Sequence, residues 1–356
     1  MLDRLLSHDR PRNAWLSATL LLIVVGLALA PLWLPGSKAL GVAAKVLVFI
    51  LLVTSYDLLL GYTGIVSFAH TMFFGIGAYG VAIASTRLGP GFGSVAVGLL
   101  LALLASLLLS MLVGLFSLRV KAIFFAMITL AVAAAFQTLA SQLSDFTGGE
   151  DGLSFKNPGL LSPAFEFEWL GLALDGRHLS YWLLFCVVTV LFLATLRVVN
   201  SPFGRVLQAI RENDFRAEAI GLRVVVYRTL SNVLAALLAT VAGALLALWL
   251  RYTGPDTTLS FEIMLDVLLI VVIGGMGTLY GAVIGSVLFV LAQNYLQDLL
   301  KIAGGAVEGV PLLAAVLTPD RWLLWLGVLF VLSVYHFPTG VVGRLRARTS
   351  GHQSGS

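Results

Sequence analysis

The sequence carries one apolar run after another, each about as long as a bilayer is thick. A hydrocarbon core of roughly 30 Å is crossed by about 20 helical residues. Runs of that kind cover 14–34, 40–60, 65–86, 92–117, 122–142, 180–199, 229–250, 261–273, 278–300 and 321–338. The eighth is short, and the third and ninth are rich in glycine. The runs are continuous: Leu99 to Leu109 is broken only by Ser106. A membrane barrel strand would alternate apolar and polar residues instead. The 356 residues are 59% hydrophobic and 11% charged, whereas a soluble chain carries about 25% charged residues. Too few charges remain to cover a water-facing surface, so lipid is the second solvent. The expected fold is all-α: a polytopic helical membrane protein of about ten transmembrane helices in one domain spanning 1–356.

Ala28-Leu29-Ala30 mimics a signal-peptidase site. The run continues through Trp33 and Leu34, with Pro31 directly after the mimic, so it reads as an uncleaved first helix. Cys186 is the single cysteine and lies within an apolar span, which excludes an intramolecular disulfide.

Basic residues orient membrane proteins by collecting in cytoplasmic loops. With the N-terminus inside, cytoplasmic segments hold 14 of the 22 Lys and Arg residues and outside segments hold 7. The 144–180 loop carries Lys156 and Arg177 against Asp145, Glu150, Asp151, Glu166, Glu168 and Asp175, and falls outside. An even number of spans brings the tail with Arg344, Arg346 and Arg348 back inside. The expected plan is a cytoplasmic N-terminus (1–13), an outer loop (144–180), a cytoplasmic loop (200–228) and a cytoplasmic tail (344–356). The net charge of +4 is then an orientation signal, not the footprint of nucleic acid.

No catalytic or energy-converting constellation is visible. There is no phosphate loop of the Gly-x-x-x-x-Gly-Lys-Ser/Thr kind, no His-Glu-x-x-His and no cysteine cluster, and the five histidines are scattered. Ionisable residues within spans are few. Lys45 lies near the outer end of its span and can snorkel to the interface. Asp57 lies near the inner end of the same span, within reach of water. Asp266 sits deeper; a membrane carboxylate is a functional candidate by default, and the competing reading is a cap on a neighbouring helix or a wet cavity. No metal site is expected.

The 200–228 loop is the most informative segment. Ser201 suits an N-cap and Pro202 the first helical position. Phe203, Val206, Leu207 and Ile210 share one helical face, Glu212 and Arg216 are spaced to pair, and Gly221 can end the stretch with a left-handed cap. The segment therefore reads as an amphipathic helix or helix pair. It either lies on lipid headgroups or docks into a groove of a soluble partner. Glu212, Asp214 and Glu218 interrupt its basic residues, which favours the partner.

Two glycine-rich stretches remain. Gly61, Thr63, Gly64, Ser67, His70, Gly75 and Gly77 mix glycine with hydrogen-bonding groups, which suits a polar translocation path. Gly274, Gly275 and Gly277 have fewer polar neighbours and suit close helix packing, although glycine also permits broken helices that line a cavity.

At these residues the chain resembles branched-chain amino-acid ABC importer permeases, M-type (LivM-like) subunit. Gly61-Tyr62-Thr63-Gly64 with Ser67, His70, Phe73, Phe74 and Gly75 to Tyr79 is similar to the family signature. So are Thr147-Gly148-Gly149-Glu150-Asp151-Gly152-Leu153 outside, Arg205 to Gly221 as the coupling loop, Gly274 to Gly281, and Phe337-Pro338-x-Gly340-Val341-Val342-Gly343. The chain departs from relatives in Phe68, Ala69, Thr71 and Met72 around His70, whose bulk would narrow a path lined there or shift its selectivity. The resemblance implies a bacterial inner-membrane subunit that binds no cofactor itself. It implies ATP and Mg on two cytoplasmic ATPase subunits, a second, H-type permease, and a periplasmic binding protein that delivers leucine, isoleucine or valine. Relatives that carry urea, amides or other amino acids leave the solute open, and an ion-coupled secondary transporter is the more distant alternative. The implied ATPase contact comprises Ser201, Pro202, Phe203, Gly204, Arg205, Ile210, Arg211, Glu212, Glu218 and Gly221.

Overall fold

In a lipid-solvated chain a helix that is apolar on every side can be buried or can face hydrocarbon, and the two uses separate here by position. The computed structural model describes residues 14–33, 36–117, 122–163, 165–169, 172–306, 318–337 and 340–343. The expected terminal segments 1–13 and 344–356, together with Arg119, Lys121 and Pro338, lie outside the described residues. The long helices are α1 (Ala14–Trp33), α2 (Ser37–Thr63), α3 (His70–Leu88), α4 (Phe92–Ser117), α5 (Ala122–Gln142) and α6 (Gly176–Asn200). After two short helices, α7 (Pro202–Glu212) and α8 (Asp214–Ala219), come α9 (Val224–Leu250), α10 (Phe261–Gly274), α11 (Leu279–Ala306) and α12 (Trp322–His336). Each of the ten expected spans falls on one of the long helices.

Among the described residues, 9 helices are long and apolar enough to cross a membrane. The one expected span outside that set is α3. Its glycines and its His70, Thr71, Ser85 and Thr86 lower its hydropathy, and it starts at His70, not at residue 65. Residues 64–69 form a non-helical break between α2 and α3. The protein is a multi-pass, all-α membrane protein. Among the described residues, small strands occur only in the loops: β1 (Leu153–Ser154) pairs antiparallel with β4 (Tyr252–Thr253), and β2 (Glu166–Trp169) with β3 (Leu172–Asp175).

The core lies along α2, α3 and α9. Every residue of α2 from Val46 to Leu59 is buried, and α3 is packed between α4 and α9. Gly75 faces the Leu259 side chain and Gly77 the Thr240 backbone, so closely that an added Cβ would collide at either position. Polar bonds tie the helices together: Asn232 donates to the Ser110 carbonyl at 2.9 Å and the Thr240 hydroxyl to Ser106 Oγ at 2.6 Å. Such bonds stabilise membrane helices without relying on apolar burial.

The first helix is built into this frame. Proline at position 31 has no N–H to offer the carbonyl of Leu27, four residues earlier. The Tyr181 hydroxyl from α6 donates to that carbonyl at 2.7 Å, and Trp182 Nε1 donates to the Ala28 carbonyl at 3.3 Å. The Ala28-Leu29-Ala30 mimic therefore sits in a packed helix.

The two ends of the bundle are distinct. Lys38, Arg87, residues 144–163 and residues 251–260 lie at one end, joined by contacts such as Lys38–Asp298 and Arg87 to the Asp145 carbonyl. Residues 61–64, the α7–α8 pair, Gly274–Thr278 and Gly340 meet at the other.

Candidate functional site

The site begins with a helix pair broken at one residue. Pro202 starts α7. Ser201, in extended conformation, directs its hydroxyl back to the Val198 carbonyl at 2.6 Å and makes no side-chain bond to α7. The expected N-cap bond is thus absent, because a single residue separates α6 from α7 and the hydroxyl satisfies the end of α6. Asn213 separates α7 from α8, and its side chain accepts from the Arg216 amide at 3.0 Å. This break takes Glu212 and Arg216 off a common helical face, and they form no ion pair. Asp214 instead meets Arg228 at 3.6 Å. Gly221 adopts the left-handed conformation, φ +92°, as the sequence leads one to expect.

The apolar face of α7 is consumed inside the chain. Leu207 and Ile210 are buried, Phe203 packs against Tyr227 with ring centres 5.8 Å apart, and Ile210, Ala217 and Val224 form one cluster. Gly204 allows α7 to close onto the Val199 backbone. The outer surface of the pair presents Arg205, Glu212 and Glu218, together with Phe215 and Ile220 at 81% and 77% exposure. Those two apolar residues were not singled out in the sequence, because a helix pair folded at Asn213 has no single period from which to read their direction.

Arg211 is exposed, yet its head group reaches into the bundle. Its guanidinium donates to the backbone carbonyl of Gly61, and its stem lies beside Gly64, where a Cβ would stand 3.3 Å from Arg211 Cγ. Gly61 lies near the C-terminal end of α2, where backbone carbonyls lose their helical partners, so the cation meets the negative end of the helix dipole. Gly277 completes the junction. Its amide donates to Asp57 Oδ1 at 2.8 Å. Its φ is +79°, and an added Cβ would stand 2.8 Å from Arg211 Nη1 and 2.9 Å from the Gly61 carbonyl oxygen. Asp57 is 1% exposed; it does not reach water, as its place near a span end suggests, but holds this turn. Gly274 packs on the Gly281 backbone, and Gly275 on Gly340. The junction thus unites α2, α7, the α10–α11 turn and the 340–343 segment.

The polar residues of the first glycine-rich stretch lie inside the packing. Thr63, Ser67 and His70 are at most 2% exposed. Thr63 donates to the Leu59 carbonyl. His70 Nε2 bonds Ser55 Oγ at 2.7 Å, and its ring meets Tyr56 edge-on at 5.2 Å between centres. Asp266 is elsewhere, toward the opposite end, half-buried on α10. It accepts from Gln293 Nε2 at 3.2 Å, and Gln293 Oε1 accepts from Lys45 Nζ at 2.8 Å. Lys45 therefore does not snorkel. Gln293 was missed in the sequence, where an amide in an apolar run carries no pattern of its own. Among the described residues no group of three or more His, Cys, Asp or Glu side chains could hold a metal ion.

At the opposite end, the Thr147–Leu153 segment is fastened to the end of α9. Leu153 pairs with Thr253, the Tyr252 hydroxyl donates to the Asp151 carbonyl at 3.0 Å, and Asn157 donates to the Leu248 carbonyl at 2.8 Å.

Comparison with known proteins agrees with this architecture. The family model for "branched-chain amino acid transport system / permease component" matches residues 38–334. The high-affinity branched-chain amino acid transport system permease protein LivM of Salmonella typhimurium is 26% identical over 318 residues, covering 85% of this chain and 74% of that protein. The probable LivM of Methanocaldococcus jannaschii is 25% identical, over 78% of this chain and 80% of its own length. BraD of Pseudomonas aeruginosa is 27% identical, over 83% and 92%. No solved structure matches the chain. With the family model spanning most of its length, from α2 into α12, the chain belongs to the permease-component family of branched-chain amino acid transport systems.

Proposed function

We propose that this chain is the M-type permease subunit of an ATP-driven importer in a bacterial inner membrane, and that it carries leucine, isoleucine and valine. The loop 200–228 faces the cytoplasm, and the 144–180 loop faces the periplasm and receives a binding protein. The chain works beside an H-type permease. Two ATPase subunits, holding ATP and Mg, dock on the α7–α8 pair, where Phe215 and Ile220 enter a groove and the charges of Arg205, Glu212 and Glu218 surround them. Nucleotide acts by binding two states of the assembly unequally. This chain contributes no chemistry to hydrolysis.

The observation that carries this reading is the inward turn of Arg211. It joins the docking surface to the end of α2 and to the Gly277 turn, so a push on the helix pair reaches two membrane helices directly. The glycine-containing breaks at 64–69 and 275–278 serve as hinges, and the route for solute passes Asp266.

The test is uptake of radiolabelled leucine by vesicles holding this chain, the second permease, both ATPases and the binding protein. Uptake is expected only with ATP on the ATPase side. Uptake by this chain alone, driven by an ion gradient, would overturn the reading. Phe215→Glu is expected to weaken ATPase co-purification by about 10-fold or more, as loss of an aromatic anchor does.

A further inference from the structure

We propose that Lys45, Gln293 and Asp266 form a receiving site for the zwitterionic head of an amino acid. The proposal rests on the importer reading above and adds which groups meet the solute.

A single amide spans a cation and a carboxylate from two other helices. Lys45 of α2 donates to Gln293 Oε1 at 2.8 Å, and Gln293 Nε2 of α11 donates to Asp266 Oδ2 of α10 at 3.2 Å. All three residues are half-buried. On α2, which is sealed from Val46 to Leu59, the open positions include Lys38, Gly41 and Lys45, which form one stripe. On α10, Glu262, Leu265, Asp266 and Leu269 form a facing stripe with similar exposure. Nearer the mouth, Lys38 meets Asp298 at 2.8 Å and lies 5.5 Å from the Tyr295 ring centre. Lys38 and Lys45 are separated by about 10 Å along the helix at 1.5 Å per residue. One face of the molecule therefore carries a pair of opposite charges at its rim and a second pair two turns deeper.

Charges set against hydrocarbon are expensive, and those in membrane segments mark pathways or pair with one another. Two such pairs on one face identify it as a wet or covered surface. The sign pattern then selects the solute. Rings of a single sign select ions, whereas here a cation and a carboxylate stand together at both depths, with Glu262 as a further acid beside Asp266 and Lys301 as a further cation beside Asp298.

The bridging amide indicates what fits between them. It offers an acceptor to Lys45 and a donor to Asp266 across one carbon. An α-amino acid offers the same acceptor and donor across one further bond, and both carry full charge. Charge-assisted hydrogen bonds are about twice as strong as neutral ones. The carboxylate of the solute therefore replaces Gln293 Oε1 at Lys45, its ammonium replaces Gln293 Nε2 at Asp266, and the glutamine side chain swings aside. Without solute, the amide keeps both charges satisfied.

The test uses the assembly of both permeases and both ATPases, without nucleotide or binding protein. Retained radiolabelled leucine is displaced by leucine but about 10-fold less well by leucinol, which lacks the carboxylate, or by 4-methylpentanoate, which lacks the ammonium. That ratio corresponds to one charge-assisted hydrogen bond. Lys45→Gln and Asp266→Asn each lower retention by a similar factor. Absent retention, equal competition by the analogues, or unchanged retention in both variants overturns the proposal. The analogue comparison needs no variant, so a folding defect cannot mask it. Uptake by the complete system is measured in parallel. Leucine import without retention refutes this site and leaves the importer reading standing, whereas absent import refutes both.

Discussion

Arg211 donates a hydrogen bond to the carbonyl of Gly61, 150 residues earlier in the chain. The bond ties the charged 200–228 loop to the end of a helix that is buried throughout Val46 to Leu59. It also separates two residues that are neighbours in sequence. Both residues are exposed, but the Arg211 guanidinium reaches into the junction.

Replacing them one at a time should therefore give unequal results. Arg211→Ala is expected to lower leucine uptake by at least about 10-fold, the scale of one lost charge-assisted bond, while ATP hydrolysis by the assembly continues. Glu212→Ala alone should change uptake by less than about 2-fold, as most surface substitutions do. Equal defects in the two single variants would show that the inward bond is not what transmits the motion.

Gly277 tolerates no side chain for two independent reasons. Its φ of +79° disfavours an L-residue, and the space a Cβ would take lies against Arg211 and Gly61. Strain of this kind costs about 1–3 kcal/mol, before the displacement of Arg211 is counted. Gly277→Ala should lower the melting temperature of the detergent-purified permease pair and its uptake together. Gly93, which has open space around it, provides the control, and Gly93→Ala should leave both measurements unchanged. A Gly277→Ala protein with parent-like melting would refute the close packing.

His70 separates a packing role from a path-lining role. Bonded to Ser55 and closed off by Tyr56, it should contribute stability. Losing the pair partner of a buried polar group costs about 1–3 kcal/mol. His70→Ala is expected to reduce the folded yield, and the folded fraction should transport leucine, isoleucine and valine in the parent ratio. A changed ratio among these solutes, with stability intact, would place His70 on the route instead.

Orientation can be read by labelling. In a Cys186→Ala background, Phe215→Cys should react with a membrane-impermeant maleimide only when the cytoplasmic face is open. Ser154→Cys, exposed beside the β1–β4 pair, should react only from the outside. The reverse pattern would invert the proposed topology.

The sequence displayed the bundle plainly, since apolar runs of bilayer length such as 92–117 and 229–250 allow few other structures. It also marked the helix pair, through Ser201-Pro202 at one end and Gly221 at the other. What it hid were directions. Amphipathic spacing identified the face of Phe203, Val206, Leu207 and Ile210 but not that the bundle itself covers that face. Hydrogen-bonding side chains near glycine suggested a polar route at Thr63, Ser67 and His70, yet each is sealed within the chain. A buried network and a wet channel draw on the same residue types, and only packing distinguishes them. The long pairings of Arg211 with Gly61, Asp57 with Gly277 and Lys45 with Gln293 left no local trace, because each joins residues more than 100 positions apart.

The modest hydropathy of α3 bears on how the protein is made. A segment holding His70, Thr71, Ser85 and Thr86 together with Gly75, Gly77 and Gly80 gains little by entering lipid unaided, since polar residues raise the free energy of insertion. The helix that covers it, α9, begins at Val224, and leaves the ribosome well over a hundred residues later. During synthesis α3 must therefore be sheltered, by α2 and α4 or by the insertion machinery, until α9 arrives. Truncation before Val224 should accordingly leave a product that quality-control proteases recognise, even though every strongly apolar segment before that point is present.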